Sequence, residues 1–177
     1  MAPATPLSIP DPSLVVLIGA AGSGKSTFAA RHFAPGEVLS SDAYRALIAG
    51  DPADQRATKP AFAALHRDLE RRLTRRQLVV VDATNVTGRA RRQLLVFAEA
   101  AGVHAVAIVL CPAAEVVRRR NAARSERVVP ESGVLRQLDD LERTLVEGRL
   151  EGEGFVSVTR LVSPGAVDEV AIVRERG

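Results

Sequence analysis

Eight consecutive residues constrain this chain more than any others. Gly19-Ala20-Ala21-Gly22-Ser23-Gly24-Lys25-Ser26 fits the pattern G-x-x-x-x-G-K-[ST], and it stands between an apolar run, Leu14–Ile18, and a helical pattern over Ser26–Phe33. A strand that ends in glycines and opens a helix turns successive backbone N–H groups inward, and the helix N-terminus adds partial positive charge there. The result is a cradle for phosphate. Lys25 is placed to reach the β- and γ-phosphates of a nucleotide, and Ser26 to set its hydroxyl on Mg²⁺. Gly22, Ser23, Gly24, Lys25, Ser26 and Thr27 are therefore the expected nucleotide-binding residues, with ATP and Mg²⁺ as the expected cofactors. All but two of the 24 basic residues are arginines, and one of the two lysines is Lys25. Where a bare cation suffices, the sequence uses Arg; in the glycine loop it keeps a compact ammonium.

The remainder reads as strand, helix, strand, helix. Strands are expected at Leu14–Ile18, Glu37–Ser40, Leu78–Val81, His104–Leu110 and Phe155–Val162, with a further short one at Val167–Val173. Between them lie helical patterns at Ser26–Phe33, Asp42–Ala49, Pro60–Arg76, Gly88–Ala101, Ala113–Arg124 and Ser132–Glu147. In Pro60–Arg76 the residues Phe62, Leu65, Leu69 and Leu73 recur at helical spacing, with arginines opposite. This alternation argues an α/β domain with a mostly parallel sheet and right-handed crossovers. As a P-loop phosphotransferase fold it would have strand order 2-3-1-4-5 flanked by helices, with an Arg-bearing helical lid at about residues 113–148. Pro3, Pro6, Pro10 and Pro12 mark residues 1–12 as an irregular tail, leaving 13–177 as a single domain.

Composition excludes several classes. At 46% hydrophobic and 25% charged, the chain is ordinary globular material rather than disordered. The single cysteine, Cys111, cannot close an intramolecular disulfide and fits a reducing compartment. His32, His66 and His104 are scattered without metal-ligand spacing and read as structural. No apolar run approaches the ~20 residues of a membrane span, and no signal-peptide pattern opens the chain, so no membrane partner is expected and the cytoplasm is the expected location. A net charge of +3 permits a polyanionic partner without demanding one.

Three further groups of residues carry candidate chemistry. Asp82 closes the apolar run Leu78–Val81, at the carboxyl end of a strand, where an acidic residue acts on Mg²⁺ or its waters; a helix N-cap or a loop ion pair fits the same position. Thr84 and Asn85 follow, and they suit capping the next helix or bonding a substrate equally well. Asp42 follows the second strand with Arg45 about one helical turn later, so a proton acceptor and a phosphate-binding cation would share one face; spacing alone also fits an N-cap with an i+3 arginine. Arg120 and Arg124 share a helix face, with Arg127 a further turn on or in the bend before Pro130. Lid arginines in this position would neutralise charge on a transferring phosphoryl group. Arg118 and Arg119 belong to a solvated face, as do most of Arg71, Arg72, Arg75, Arg76, Arg89, Arg91 and Arg92.

Taken together, these motifs resemble the kinase domain of bacterial polynucleotide kinase-phosphatase, over nearly the whole chain after the tail. The family pattern reads here as Gly19–Thr27, Ser41-Asp42-Ala43-Tyr44-Arg45, Asp82-Ala83-Thr84-Asn85, Arg120-Asn121-Ala122-Ala123-Arg124-Ser125-Glu126-Arg127 and Glu153-Gly154-Phe155. The resemblance implies ATP-dependent phosphorylation of a 5′-hydroxyl end of RNA or DNA. Asp42 would be the general base and Arg45 the ligand of the phosphate next to the acceptor nucleoside. Arg120 and Arg124 would lie on the ATP phosphates, with Arg127 as a further lid contact and Asn85 as a substrate contact. No Asp-x-Asp-Gly phosphatase signature and no ligase lysine motif is present, so a stand-alone kinase is expected. Two other readings share the layout: a P-loop kinase of a nucleoside, sugar or antibiotic, and a nucleotide-dependent switch. Only five Phe and one Tyr are available for stacking bases, so contacts to a polynucleotide should concentrate at its terminal nucleotides.

Overall fold

The computed structural model describes residues 5–50, 58–125, 128–146 and 148–176. In chain order the elements are β1 (Thr5–Asp11), β2 (Ser13–Ile18), α1 (Lys25–His32), β3 (Val38–Ser40), α2 (Ser41–Ala49) and α3 (Thr58–Thr74). They continue as β4 (Val79–Asp82), α4 (Gly88–Ala100), β5 (His104–Leu110), α5 (Ala114–Ala122), α6 (Glu131–Val146), β6 (Ser157–Leu161), α7 (Pro164–Glu169) and β7 (Val170–Arg176). Five strands form one parallel sheet in the order β3-β4-β2-β5-β6. Counted over the five strands expected from the sequence, this is the order 2-3-1-4-5.

The central strand β2 is apolar without alternation because both its faces are covered. Leu14, Val16 and Ile18 join one core layer, built with Leu65, Leu69 and Leu73 of α3, Leu94 and Ala98 of α4, and Leu141 of α6. Val15 and Leu17 join the other, with Phe28 and Ala29 of α1 and Phe33 just beyond it. Burial in both layers is close to complete, which commits the sheet to its register.

One expectation fails at the edge of this second layer and another holds only in part. The segment expected to be an irregular tail contains β1, which pairs in parallel with β7 from Thr5↔Val170 to Asp11↔Arg176. Its prolines are tolerated because β1 has a strand on one side only, so a missing N–H need not break a ladder. Ile9 and Val170 are the buried residues that seal this ribbon onto the second layer. The short strand expected at Val167–Val173 is instead the end of α7 followed by β7. Pro164 stands in the first turn of α7 and the Ser163 hydroxyl accepts from Ala166 N at 3.1 Å, a start signal that the β-branched residues after it obscured.

The ribbon is also fastened electrostatically. Arg174 of β7 donates from both terminal nitrogens to Glu37, at 2.6 and 2.8 Å, in the turn that leads into β3. This guanidinium holds the Glu37 carboxyl below its ordinary value of 4.5, against the opposing effect of burial. A depressed native pKa means that the native state binds the proton more weakly than the unfolded chain. The pair therefore stabilises above the ordinary Glu range and loses its contribution as pH falls through the native value. Glu37→Gln is expected to lower Tm at pH 7, and the gap to wild type should close as pH drops below about 4; Tm measured across pH for both proteins checks this.

Candidate functional site

The glycine loop leaves β2 at Gly19, whose N–H donates to Thr84 O at 2.9 Å and so ties the loop to the end of the neighbouring strand. Gly22 and Gly24 have φ of +91° and +101°, values that L side chains rarely adopt. At Gly22 space forbids a side chain too: a Cβ there would lie 2.5 Å from Val117 O and 2.9 Å from Asn121 N of α5. Helix α1 then begins with Gly24 as its N-cap and no side chain on its first N–H groups, which leaves those donors at the mouth of a cleft. Lys25 is buried, and its ammonium donates to Gly19 O and Ala20 O at 2.9 Å each, with Ser23 Oγ at 3.4 Å.

The cleft has a volume of about 680 Å³. Gly22, Gly24, Lys25, Ser26 and Thr27 line it from the loop and α1, Asp42 and Arg45 from α2, Asp82 from β4, and Arg120 and Arg124 from α5 and the turn after it. The structure thus brings together nearly all the residues expected at the site. Three fall outside. Ser23 is buried beneath the loop, its N–H donating to Ala20 O at 3.1 Å. Asn85, expected to touch substrate, is also buried and does not line the cleft; its amide donates to Leu17 O at 2.8 Å, pinning the chain where it turns with φ of +50°. Asn85 therefore holds the end of β2 in place. Arg127 lies outside the described residues.

The open alternatives for the acidic residues resolve in the geometry. Ser40, not Asp42, caps α2 by accepting from Ala43 N at 3.5 Å. That leaves the Asp42 carboxylate to pair with Arg45 through Oδ1, and Arg124 stands 3.7 Å from its Oδ2. The arginine side chain is only 7% exposed, and its Nε has no hydrogen-bond partner. Tyr44 anchors the same helix by donating to Asp68 of α3, and burial together with that carboxylate pushes the phenol up to about 12. The cap of α4 is Thr87, not Asp82 or Asn85. Asp82 is buried at the strand end, where burial raises its pKa while the Ser26 hydroxyl, Lys25 and Arg124 pull the other way. A buried carboxylate hydrogen-bonded by a P-loop hydroxyl is a hard-oxygen donor set that fits Mg²⁺. Among the described residues no group of three or more His, Cys, Asp and Glu side chains forms, so phosphate and water oxygens would complete such a coordination shell.

One arginine assigned to solvent is not there. Arg91 of α4 is 1% exposed and binds Glu153 in a fork, Nε–Oε2 and NH2–Oε1 both at 2.6 Å, while NH1 donates to Asn85 O at 2.9 Å. It locks the turn that follows Asp82. Glu153→Ala would leave this cation buried and unpaired. The expected loss is about 3 kcal/mol, near the lower end for a broken buried pair because Glu153 keeps 19% exposure, and Tm should fall by roughly 6–12 °C in thermal unfolding.

Comparison with known proteins places this geometry. No curated protein matches the sequence. The fold is shared with a chain of the Pnkp1/Rnl/Hen1 RNA repair complex (TM-score 0.66, 22% identity); the match covers 78% of this chain and 47% of that one, so this chain spans about half its length. It is shared equally with Kti12 of Chaetomium thermophilum in complex with ADP-AlF3 (0.64, 20%, covering 89% and 94%). A gluconokinase of Sinorhizobium meliloti 1021 also matches (0.56, 23%, covering 92% and 89%). At these identities the likeness concerns the fold. Among the described residues no helix is long and apolar enough to cross a membrane. The sequence profile of the AAA domain family matches residues 14–146, which take in the P-loop, Asp42, Asp82, Arg120 and Arg124, and the chain belongs to that family.

Proposed function

We propose that this protein is an ATP-dependent kinase of 5′-hydroxyl polynucleotide ends that works in the cytoplasm. The observation that carries the reading is Arg45. A mostly buried guanidinium that lines the same cleft as the P-loop and stands beside the Asp42 carboxylate fits an anion on the acceptor. The P-loop and the lid arginines already serve the donor. A 5′-hydroxyl end meets the requirement, because its first phosphodiester lies one nucleoside from the hydroxyl that attacks. A chain of an RNA repair complex shares the fold, as do Kti12 and a gluconokinase, so the acceptor is decided by the site rather than by the fold.

In this reading Asp42 accepts the proton of the 5′-hydroxyl as its oxygen bonds to the γ-phosphorus. The bond to the bridging oxygen of ATP breaks in line, and ADP leaves. Lys25 and the N–H groups of the loop and of α1 bear on the phosphate oxygens, while Arg120 and Arg124 offset the charge that spreads over the transferring group. Asp82 and Ser26 would hold Mg²⁺, which would supply positive charge to offset that of the donor phosphates.

Arg45 also decides between acceptors. A nucleoside 3′-monophosphate or a 5′-hydroxyl oligonucleotide should be phosphorylated far better than the free nucleoside. Arg45→Ala should cost about 2–5 kcal/mol in kcat/KM toward the phosphate-bearing acceptor, with ATP affinity unchanged. The assay offers labelled ATP with a nucleoside, its 3′-phosphate, an oligonucleotide and a panel of sugar acids. Equal activity of the wild-type enzyme on nucleoside and 3′-phosphate, or transfer to a sugar acid alone, would make this a small-molecule kinase. Asp42→Asn separates the base from the binding residues: turnover should fall roughly 10²–10⁴-fold while ATP affinity, measured by titration, holds.

A further inference from the structure

The helical hairpin α5–α6 is joined to the P-loop rather than hung beside it. Ala20 and Ala21 of the loop pack with Val117 of α5, Val129, and Val134 of α6 in a small core separate from the two layers that flank the sheet. Asn121 braces the turn of the hairpin, donating to Val129 O at 2.8 Å and accepting from Val129 N at 3.1 Å. Apolar contact is non-directional and does not fix how α6 is placed along the loop. One directional bond ties α6 to the loop itself, and farther along Thr144 Oγ1 of α6 donates to Val86 O at 3.3 Å. The backbone N–H of Ala21 donates to Oε1 of Gln137, on α6, at 2.8 Å across 116 residues of sequence. Gln137 lines the cleft with Arg120 and Arg124.

We propose that Gln137 is a positioning residue: through Ala21 it sets the lid helices in register with the P-loop and so places Arg120 at the terminal phosphate of the donor. The inference rests on the donor half of the proposed function and is independent of the acceptor. A backbone N–H can only donate, so it takes the amide oxygen of Gln137 and fixes the side chain's orientation. Losing that acceptor leaves a partly buried N–H unpaired and frees α6 to shift. Arg120 moves with the hairpin; in the structure its NH1 stands 3.6 Å from where a Cβ on Gly24 would lie, close over the loop. The inner phosphates are held by the loop's own N–H groups and the start of α1. Their binding does not depend on α6.

The test measures affinity for ADP and for a non-hydrolysable imido analogue of ATP, both with Mg²⁺, on the full chain. The ratio of the two affinities reads what the γ-phosphate contributes. In Gln137→Met this ratio should fall at least about fivefold, the lower end of ordinary coupling between sites. ADP affinity should stay within about twofold, and Tm should fall by no more than roughly 12 °C, the limit for one unpaired buried N–H in a chain of this size. Gln137→Asn keeps an amide but shortens its reach and should behave the same, which covers a poorly folding Met variant. In an Arg120→Ala background either substitution should add little, because the two act through one contact. An unchanged ratio in both variants, a parallel loss of both affinities, or full additivity with Arg120→Ala overturns the proposal. A changed ratio without phosphorylation of any 5′-hydroxyl end keeps the role of Gln137 and defeats the acceptor assignment instead.

Discussion

The site depends on one row of the sheet. The parallel register sets Asp82 of β4 beside Leu17 of β2 on one side and beside Ser40 of β3 on the other. Parallel strands finish on the same edge, so everything that leaves the sheet at this row arrives at the same place. The glycine loop leaves two residues after Leu17, and α2 starts directly after Ser40 with Asp42 in its first turn. A shift of one residue in β4 would turn Asp82 to the opposite face and separate it from Ser26. Complete burial of β2 and β4 on both sides is what forbids that shift, so the core is what aligns the chemistry.

Arginine serves four physical ends in this chain. Arg118 makes an exposed pair with Glu131, of the kind that contributes little. Arg91 is a fully enclosed anchor whose fork on Glu153 holds the turn after β4. Arg45 is enclosed as well, but toward the cleft and with only part of its donor set used. Arg120 and Arg124 stand on the cleft wall, with Arg124 held near Asp42. Burial and the number of donors in use separate these roles, and residue type alone does not.

This is why some of the molecule was legible in the sequence and some was not. The P-loop and the positions of the strands follow from local patterns, glycine spacing and apolar runs; the strand order comes with the P-loop fold, and the roles expected of Asp42 and Arg45 with the family resemblance. What escaped depends on partners far along the chain. Arg91 looks like its neighbours Arg89 and Arg92, and only the arrival of Glu153, 62 residues later, distinguishes it. Gln137 reads as one more polar residue on an amphipathic helix until Ala21 is brought beneath it. Asn85 follows a strand end, where a ligand is as plausible as a clamp; its side chain turned inward to a carbonyl of β2. In β1 the prolines signalled a loop, and no local feature announces a strand whose single neighbour is more than 150 residues away.

That last pairing sets an order on folding during synthesis. Ile9 leaves the ribosome early, yet the strand that shelters it, β7, is made after every other element. The layer holding α1, Phe33 and Leu17 therefore stays open along one side while all the elements between β1 and β7 are made, at the seconds-long pace of chain elongation. A nascent chain of this protein presents an apolar strand with a free edge for that interval, the state in which holdase chaperones recognise clients. Closure of the parallel ribbon then joins residues of very high sequence separation, making it a late and slow event beside the local helices that precede it.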